Sequence, residues 1–154
     1  MNIADVCWLA TGAYGAHILE EASFHWVEWA RSISGLNVSK KIFYWINAAV
    51  LLLGVLAAFA AERFPVLAMA YFMLMLINGT FFHLGAFLWK RRYSPGLFTS
   101  IFLFYPVSYV GLRAANSEAL LTPLRTVESL LLGAAFMSVP LIVFRLANRT
   151  RGGA

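Results

Sequence analysis

Five apolar stretches, separated by short polar segments, set what this chain can fold into: residues 3–29, 42–61, 66–89, 97–112 and 121–144. A helix crossing the hydrocarbon layer needs about 20 such residues, so each stretch is near a span's length, although the fourth is short. A membrane β-barrel would show segments of roughly 10 residues with alternating polarity. That alternation is not visible, and a helix satisfies its own backbone in lipid. The chain is 61% hydrophobic and only 12% charged, about half the charge of a typical soluble domain. So few charges cannot cover a globular surface in water. The expectation is an all-α protein, a five-helix transmembrane bundle over residues 1–146 followed by a short tail, 147–154.

Charge placement gives the bundle a direction. Arg31, Lys40 and Lys41 follow the first stretch, Lys90, Arg91 and Arg92 the third, and Arg145, Arg149 and Arg151 the fifth. Arg63, Arg113 and Arg125 fall on the alternate side. Nine against three is a positive-inside pattern, which places the N-terminus outside and the C-terminus in the cytoplasm. Trp26, Trp29, Trp45 and Trp89 lie near the proposed cytoplasmic boundary, as an aromatic belt would. The net charge of +5 does not point to nucleic acid, because the basic residues sit between apolar runs. A single cysteine, Cys7, rules out an internal disulfide or a cysteine metal cluster. No basic segment precedes the first stretch, so that stretch is expected to remain as an anchor.

Within the first stretch lies His17-Ile18-Leu19-Glu20-Glu21. Ionised groups in hydrocarbon cost several kcal/mol each, and such residues mark functional sites by default. On a helix, Glu20 and Glu21 flank His17, with Tyr14 one turn earlier on the same stripe. Gly12, Gly15, Ala16, Leu19 and Ala22 form the opposite side, where small residues would let another helix approach, within the chain or in a homo-oligomer. Asn47, Asn78 and His83 lie at compatible depth in the second and third stretches. Asn78 and His83 are five residues apart and do not share the face of a regular helix. No Lys or Arg is expected at that depth. The carboxylates must then be protonated, be matched by a charged histidine, or bind a metal. His17, His83, Glu20 and Glu21 suit iron, zinc or manganese and leave positions open for water or substrate. Without metal, Glu20 and Glu21 would form a general acid–base pair.

Blander readings apply elsewhere. Membrane asparagines such as Asn47 and Asn78 commonly bond neighbouring helices. His25 and Glu28 lie near the interface, where solvation accounts for them. Arg125 and Glu128 are spaced for a structural ion pair. The turn at Lys90-Arg91-Arg92-Tyr93-Ser94-Pro95-Gly96 is explained first by topology, and its cations could also meet anionic headgroups. Pro106 and Pro140 are expected to kink the fourth and fifth spans.

His17-Ile18-Leu19-Glu20-Glu21, the downstream Asn78 and His83, and Arg92-Tyr93-Ser94-Pro95-Gly96 leading into the fourth span together resemble the HXXEE family of small multipass bacterial membrane proteins. The resemblance covers most of the chain. It implies a bacterial inner-membrane location and supports His17, Glu20, Glu21 and His83 as a unit, but it names a motif rather than an activity.

The resulting expectation is a membrane enzyme acting on a lipophilic small molecule. His17, Glu20, Glu21 and His83 would hold a divalent metal, with Tyr14, Asn47 and Asn78 orienting the substrate. The alternatives are a metal-free isomerase, cyclase or hydratase built on Glu20 and Glu21, and a carrier or membrane-complex subunit. The absence of visible inverted repeats counts against a carrier.

Overall fold

The computed structural model describes residues 1–35 and 38–149; the predicted tail beyond Arg149, including Arg151, lies outside them. Among the described residues the fold is all helical: α1 (Ile3–Ser23), α2 (Trp26–Ser34), α3 (Lys40–Ala60), α4 (Pro65–Lys90), α5 (Leu97–Ser117) and α6 (Pro123–Arg149). Four of these, α3 to α6, are long and apolar enough to cross a membrane. α1 has 21 residues but is not among the four. Its apolar run is interrupted by Asp5, His17, Glu20 and Glu21.

The first predicted span, 3–29, divides. α1 stops at Ser23, and His25 adopts the left-handed conformation (φ 58°) that turns the chain into α2. α2 is amphipathic. Val27 and Ala30 are buried while Glu28 and Arg31 face outward, a pattern suited to a helix lying at an interface. Trp26 stacks on Phe43 of α3 and approaches Phe144 of α6, with ring centroids 5.4 and 6.0 Å apart. α2 therefore closes the end of the bundle that carries Lys40 and Lys90, here called the basic end. Exposed His25 and the exposed Glu28–Lys40 pair (3.1 Å) fit the bland reading of both residues.

Helix starts follow local chemistry. Asn2 and Asp5 form a reciprocal capping box at α1, and Glu118 accepts the Ile3 N–H (2.8 Å), tying that helix start to the end of α5. Ser39 caps α3, and Pro65 occupies the first turn of α4, where no N–H is needed.

α4 runs through the centre of the bundle, against α1, α3, α5 and α6. Two π-helical turns interrupt otherwise regular helices. One covers Asn78–Leu84 in α4 and the other Ser100–Phe104 in α5. In each, an i→i+5 bond replaces the usual one: Gly85 N–H to the Thr80 carbonyl, and Tyr105 N–H to the Ser100 carbonyl. The second immediately precedes Pro106, which cannot donate in the regular ladder, so the wider turn absorbs the proline. Through this turn α5 runs on to Ser117, five residues beyond the predicted end of the fourth span.

The small face of α1 does not carry its packing: nothing lies within 4 Å of a Cβ built on Gly12 or Gly15. The tight helix contact lies elsewhere. A Cβ at Gly133 of α6 would sit 2.8 Å from the Ala70 carbonyl oxygen and 3.0 Å from the Leu74 nitrogen of α4. Close packing of this kind, rather than a hydrophobic driving force, holds helices together in lipid. Replacing Gly133 by valine is expected to lower stability by about 1–3 kcal/mol, the range for overpacking. A thermal melt in detergent reads this directly, and an unchanged midpoint would contradict the contact. Arg125 donates to the Leu120 carbonyl (3.3 Å), and among the described residues it forms no ion pair with Glu128.

Candidate metal centre

α1 brings His17 and Glu21 to one face, four residues apart, and α4 brings His83 opposite them. All three are buried. Glu21 Oε1 lies 3.7 Å from His17 Nε2 and 3.6 Å from His83 Nε2. Both distances exceed a hydrogen bond, so one carboxylate oxygen faces two imidazole nitrogens without bonding either. Among the described residues, His83 Nε2 has no hydrogen-bond partner. Among the described residues, the ion-pair partners of Glu21 are these two histidines, with no Lys or Arg. The three ligand atoms lie within 4.8 Å of one another, so the group could hold a metal ion. In a tetrahedral site with bonds near 2.0–2.1 Å, ligand atoms stand about 3.4 Å apart, close to the two distances from Glu21.

The π turn explains why α4 can serve this group. Widening the helix by one residue turns Asn78 and His83 toward the same side, although they are five apart. Asn78 Nδ2 approaches His17 Nε2 at 3.5 Å, and both Asn78 and His83 line the same cavity. π turns recur at functional sites for this reason.

The other ring nitrogens are held by the turn into α5 and its first residues, Ser94 to Thr99. His17 Nδ1 lies 2.7 Å from Thr99 Oγ1, whose own hydrogen has the Gly96 carbonyl as acceptor at 3.3 Å. Nδ1–H is therefore the donor to Thr99, which leaves the Nε2 lone pair pointing at Glu21. His83 Nδ1 meets Ser94 Oγ at 3.2 Å. Metal-bound histidines are typically oriented through the second nitrogen in this way. Gly96 is required between the two rings. Its φ is +98°, and a Cβ there would lie 2.5 Å from His83 Cε1 and 2.6 Å from His17 Cε1.

Glu20 does not join the group, contrary to the expectation that it would be a ligand. Its carboxylate accepts the N–H groups of Gly96 (3.0 Å), Phe98 (3.1 Å) and Thr99 (2.7 Å), and the Tyr93 hydroxyl donates to it as well. These amides are the free donors of the first turn of α5, where a carboxylate is favoured. Partial burial, then the hydrogen bond to Glu20 and its charge, push the Tyr93 phenol up, so Tyr93 stays a donor. The adjacent glutamates thus divide the work: Glu21 faces the histidines, and Glu20 holds the segment that orients them.

The chain matches the family described as "Protein of unknown function with HXXEE motif" over residues 8–110, more than half its length. It belongs to the HXXEE family. The matched region of this HXXEE protein contains the whole group, from His17 to Thr99, and stops short of α6. No curated protein and no solved structure matches the chain.

Tyr14 and Asn47 sit beside the centre but are committed to each other. Tyr14 donates to Asn47 Oδ1 (3.2 Å), and Asn47 Nδ2 donates to the Phe43 carbonyl (3.1 Å). Both nonetheless line a cavity of about 460 Å³ that also reaches Glu21, Asn78 and His83. Ser94, Gly96 and Thr99 were missed from the sequence. Ser94 and Gly96 stand in the Arg92–Gly96 segment that carries the family resemblance, but neither that segment nor its turn signal points to contacts with the histidines.

Replacing Thr99 by valine keeps its shape and removes the acceptor for His17 Nδ1. Metal affinity is expected to fall by roughly 10–100-fold, as for other such partners, and the metal-free protein to lose about 1–3 kcal/mol because the buried Nδ1–H loses its acceptor. Thr99→Ser should restore it. Equal affinity in Thr99→Val and wild type would show that His17 does not depend on this contact.

Proposed function

We propose that this HXXEE protein is a multipass enzyme of the bacterial inner membrane that acts on a lipophilic small molecule through a metal held by His17, Glu21 and His83. α1 is the fifth span, the N-terminus lies outside and the C-terminus in the cytoplasm, as the distribution of basic residues supports. The observation that carries the reading is the buried pair of Nε2 atoms facing one Glu21 oxygen, with both Nδ1 atoms held by the Ser94–Thr99 segment. Iron, zinc or manganese suits two imidazoles and a carboxylate. Three protein ligands leave coordination open on the cavity side, where Glu21 and His83 both contribute to the wall. A metal there would polarise a carbonyl, activate water or, if iron, handle oxygen. Asn78 is placed to orient a substrate oxygen. The acid–base alternative retains Glu21 and the imidazoles but loses Glu20, whose oxygens are taken by backbone donors.

The test compares lipophilic extracts of bacterial membranes containing wild-type protein or Glu21→Gln by mass spectrometry. At least one lipophilic species should change in mass with wild type only, and the conversion should stop in excess chelator. Conversion that persists in chelator would reject the metal. Unchanged extracts, with solute flux in proteoliposomes or co-purification with a larger complex, would reject the enzyme.

A further inference from the structure

The cavity's walls say what kind of molecule reaches the centre. α4 and α6 touch at Gly133, and toward the basic end both line the cavity, α4 through Phe82 and Ala86 and α6 through Met137 and Leu141. Aromatic and aliphatic side chains make up nearly all of this surface. Its polar side chains are Tyr14, Asn47, Asn78, His83, Glu21 and the indoles of Trp26, Trp29 and Trp89. Among the described residues, Glu21 is the only charged side chain in this wall, and no Lys or Arg contributes. Lys40, Lys41, Arg91, Arg92 and Arg145 are exposed.

Two polar atoms in this wall lack partners among the described residues. One is His83 Nε2, at the centre. The other is the Trp29 indole N–H, on α2. An unmet buried donor costs roughly 1–3 kcal/mol, which an acceptor on the occupant would recover. Access is also visible. Phe81 lines the cavity yet is 68% exposed. It lies nine residues from Lys90, or about 13 Å along the helix, at the depth of acyl chains rather than headgroups.

Resting on the metal-enzyme reading, we infer that the site takes an uncharged lipophilic molecule from the bilayer: a single hydrocarbon or aromatic body whose neutral oxygen, a hydroxyl or carbonyl, faces His83 and Glu21, and which carries an acceptor for Trp29. An anionic head is disfavoured. A divalent ion on Glu21 leaves about one net positive charge at the centre, so a phosphate monoester would still bury an excess negative charge with no Lys or Arg among the described lining residues to meet it. The volume lies within the roughly 300–1,000 Å³ range of small-molecule sites.

The test uses the full-length, metal-loaded protein in nanodiscs and two photoreactive probes, a long-chain alcohol bearing a diazirine and a ketone oxygen that can accept from Trp29, and its phosphate monoester. Labelled peptides are mapped by mass spectrometry. The alcohol should label α4 and α6 at the cavity at least about tenfold more than the phosphate, because the phosphate's charge exceeds what the metal and Glu21 together leave to be matched and burying the excess is costly. Met137→Trp, or Ala86→Phe should the first fail to fold, should abolish labelling, whereas Leu131→Trp on the lipid side should not. Trp29→Phe should weaken labelling without changing metal content. Equal labelling by both probes, or labelling indifferent to the cavity-filling variants, would overturn the inference. Metal content measured on the same samples separates the two readings. Bound metal without alcohol capture sinks this inference alone. Alcohol capture without metal upholds it and removes the metal from the centre.

Discussion

Substituting His83 by alanine is expected to abolish tight metal binding while leaving a folded protein. His83 provides one of three ligand atoms, and its Nε2 makes no other contact that the fold depends on. Losing a partner behind a ligand typically costs 10–100-fold in affinity, so losing the ligand itself should exceed about 100-fold. The melting temperature without metal should fall moderately, because the cavity and the lost Ser94 hydrogen bond outweigh the removal of an unpartnered nitrogen. With saturating metal, wild type should melt higher by linkage and His83→Ala should not respond. Equal metal-induced shifts in the two proteins would place the ion elsewhere.

Glu20→Ala is expected to behave in the opposite way. It removes the acceptor for three backbone N–H groups and the Tyr93 hydroxyl at the start of α5. Hydrogen bonds to a charged group are worth about 1.5–3 kcal/mol each, but Glu20 is only partly buried and water can replace some of them. A loss of roughly 3 kcal/mol overall is expected, read as a fall in the detergent melting temperature. Metal affinity should fall as well, because the Ser94–Thr99 segment that holds both Nδ1 atoms is no longer pinned. Glu20→Gln keeps one acceptor oxygen and should lie between the two. If Glu20→Ala melted like wild type and lost metal as completely as His83→Ala, Glu20 would be a ligand after all.

These opposite expectations for neighbouring groups mark where the sequence ceased to be legible. Apolar run lengths placed α3, α4 and α6 to within a few residues, because lipid demands long uninterrupted helices. The grouping of His17, Glu21 and His83 was readable because buried charge needs compensation and the candidates were few. Periodicity could not show the break at Ser23, since the amphipathic α2 carries the same apolar residues as a span and the turn rests on the left-handed conformation of His25. Nor could it show that a π turn brings Asn78 and His83 to one side, because a regular helix separates them. The role of Glu20 depends on the first turn of a helix nearly 80 residues later, which only the packed bundle reveals. Trp26, Trp29 and Trp89 fit a belt by position, yet all three also line the cavity.

X-ray absorption at the metal edge of the reconstituted protein tests the central claim most directly. The account predicts nitrogen and oxygen scatterers at about 2.0–2.2 Å from the ion, with outer-shell scattering from two imidazole rings, and loss of this bound-metal signal in His17→Ala and in His83→Ala. A spectrum without imidazole scattering, or one unchanged by either substitution, would contradict it.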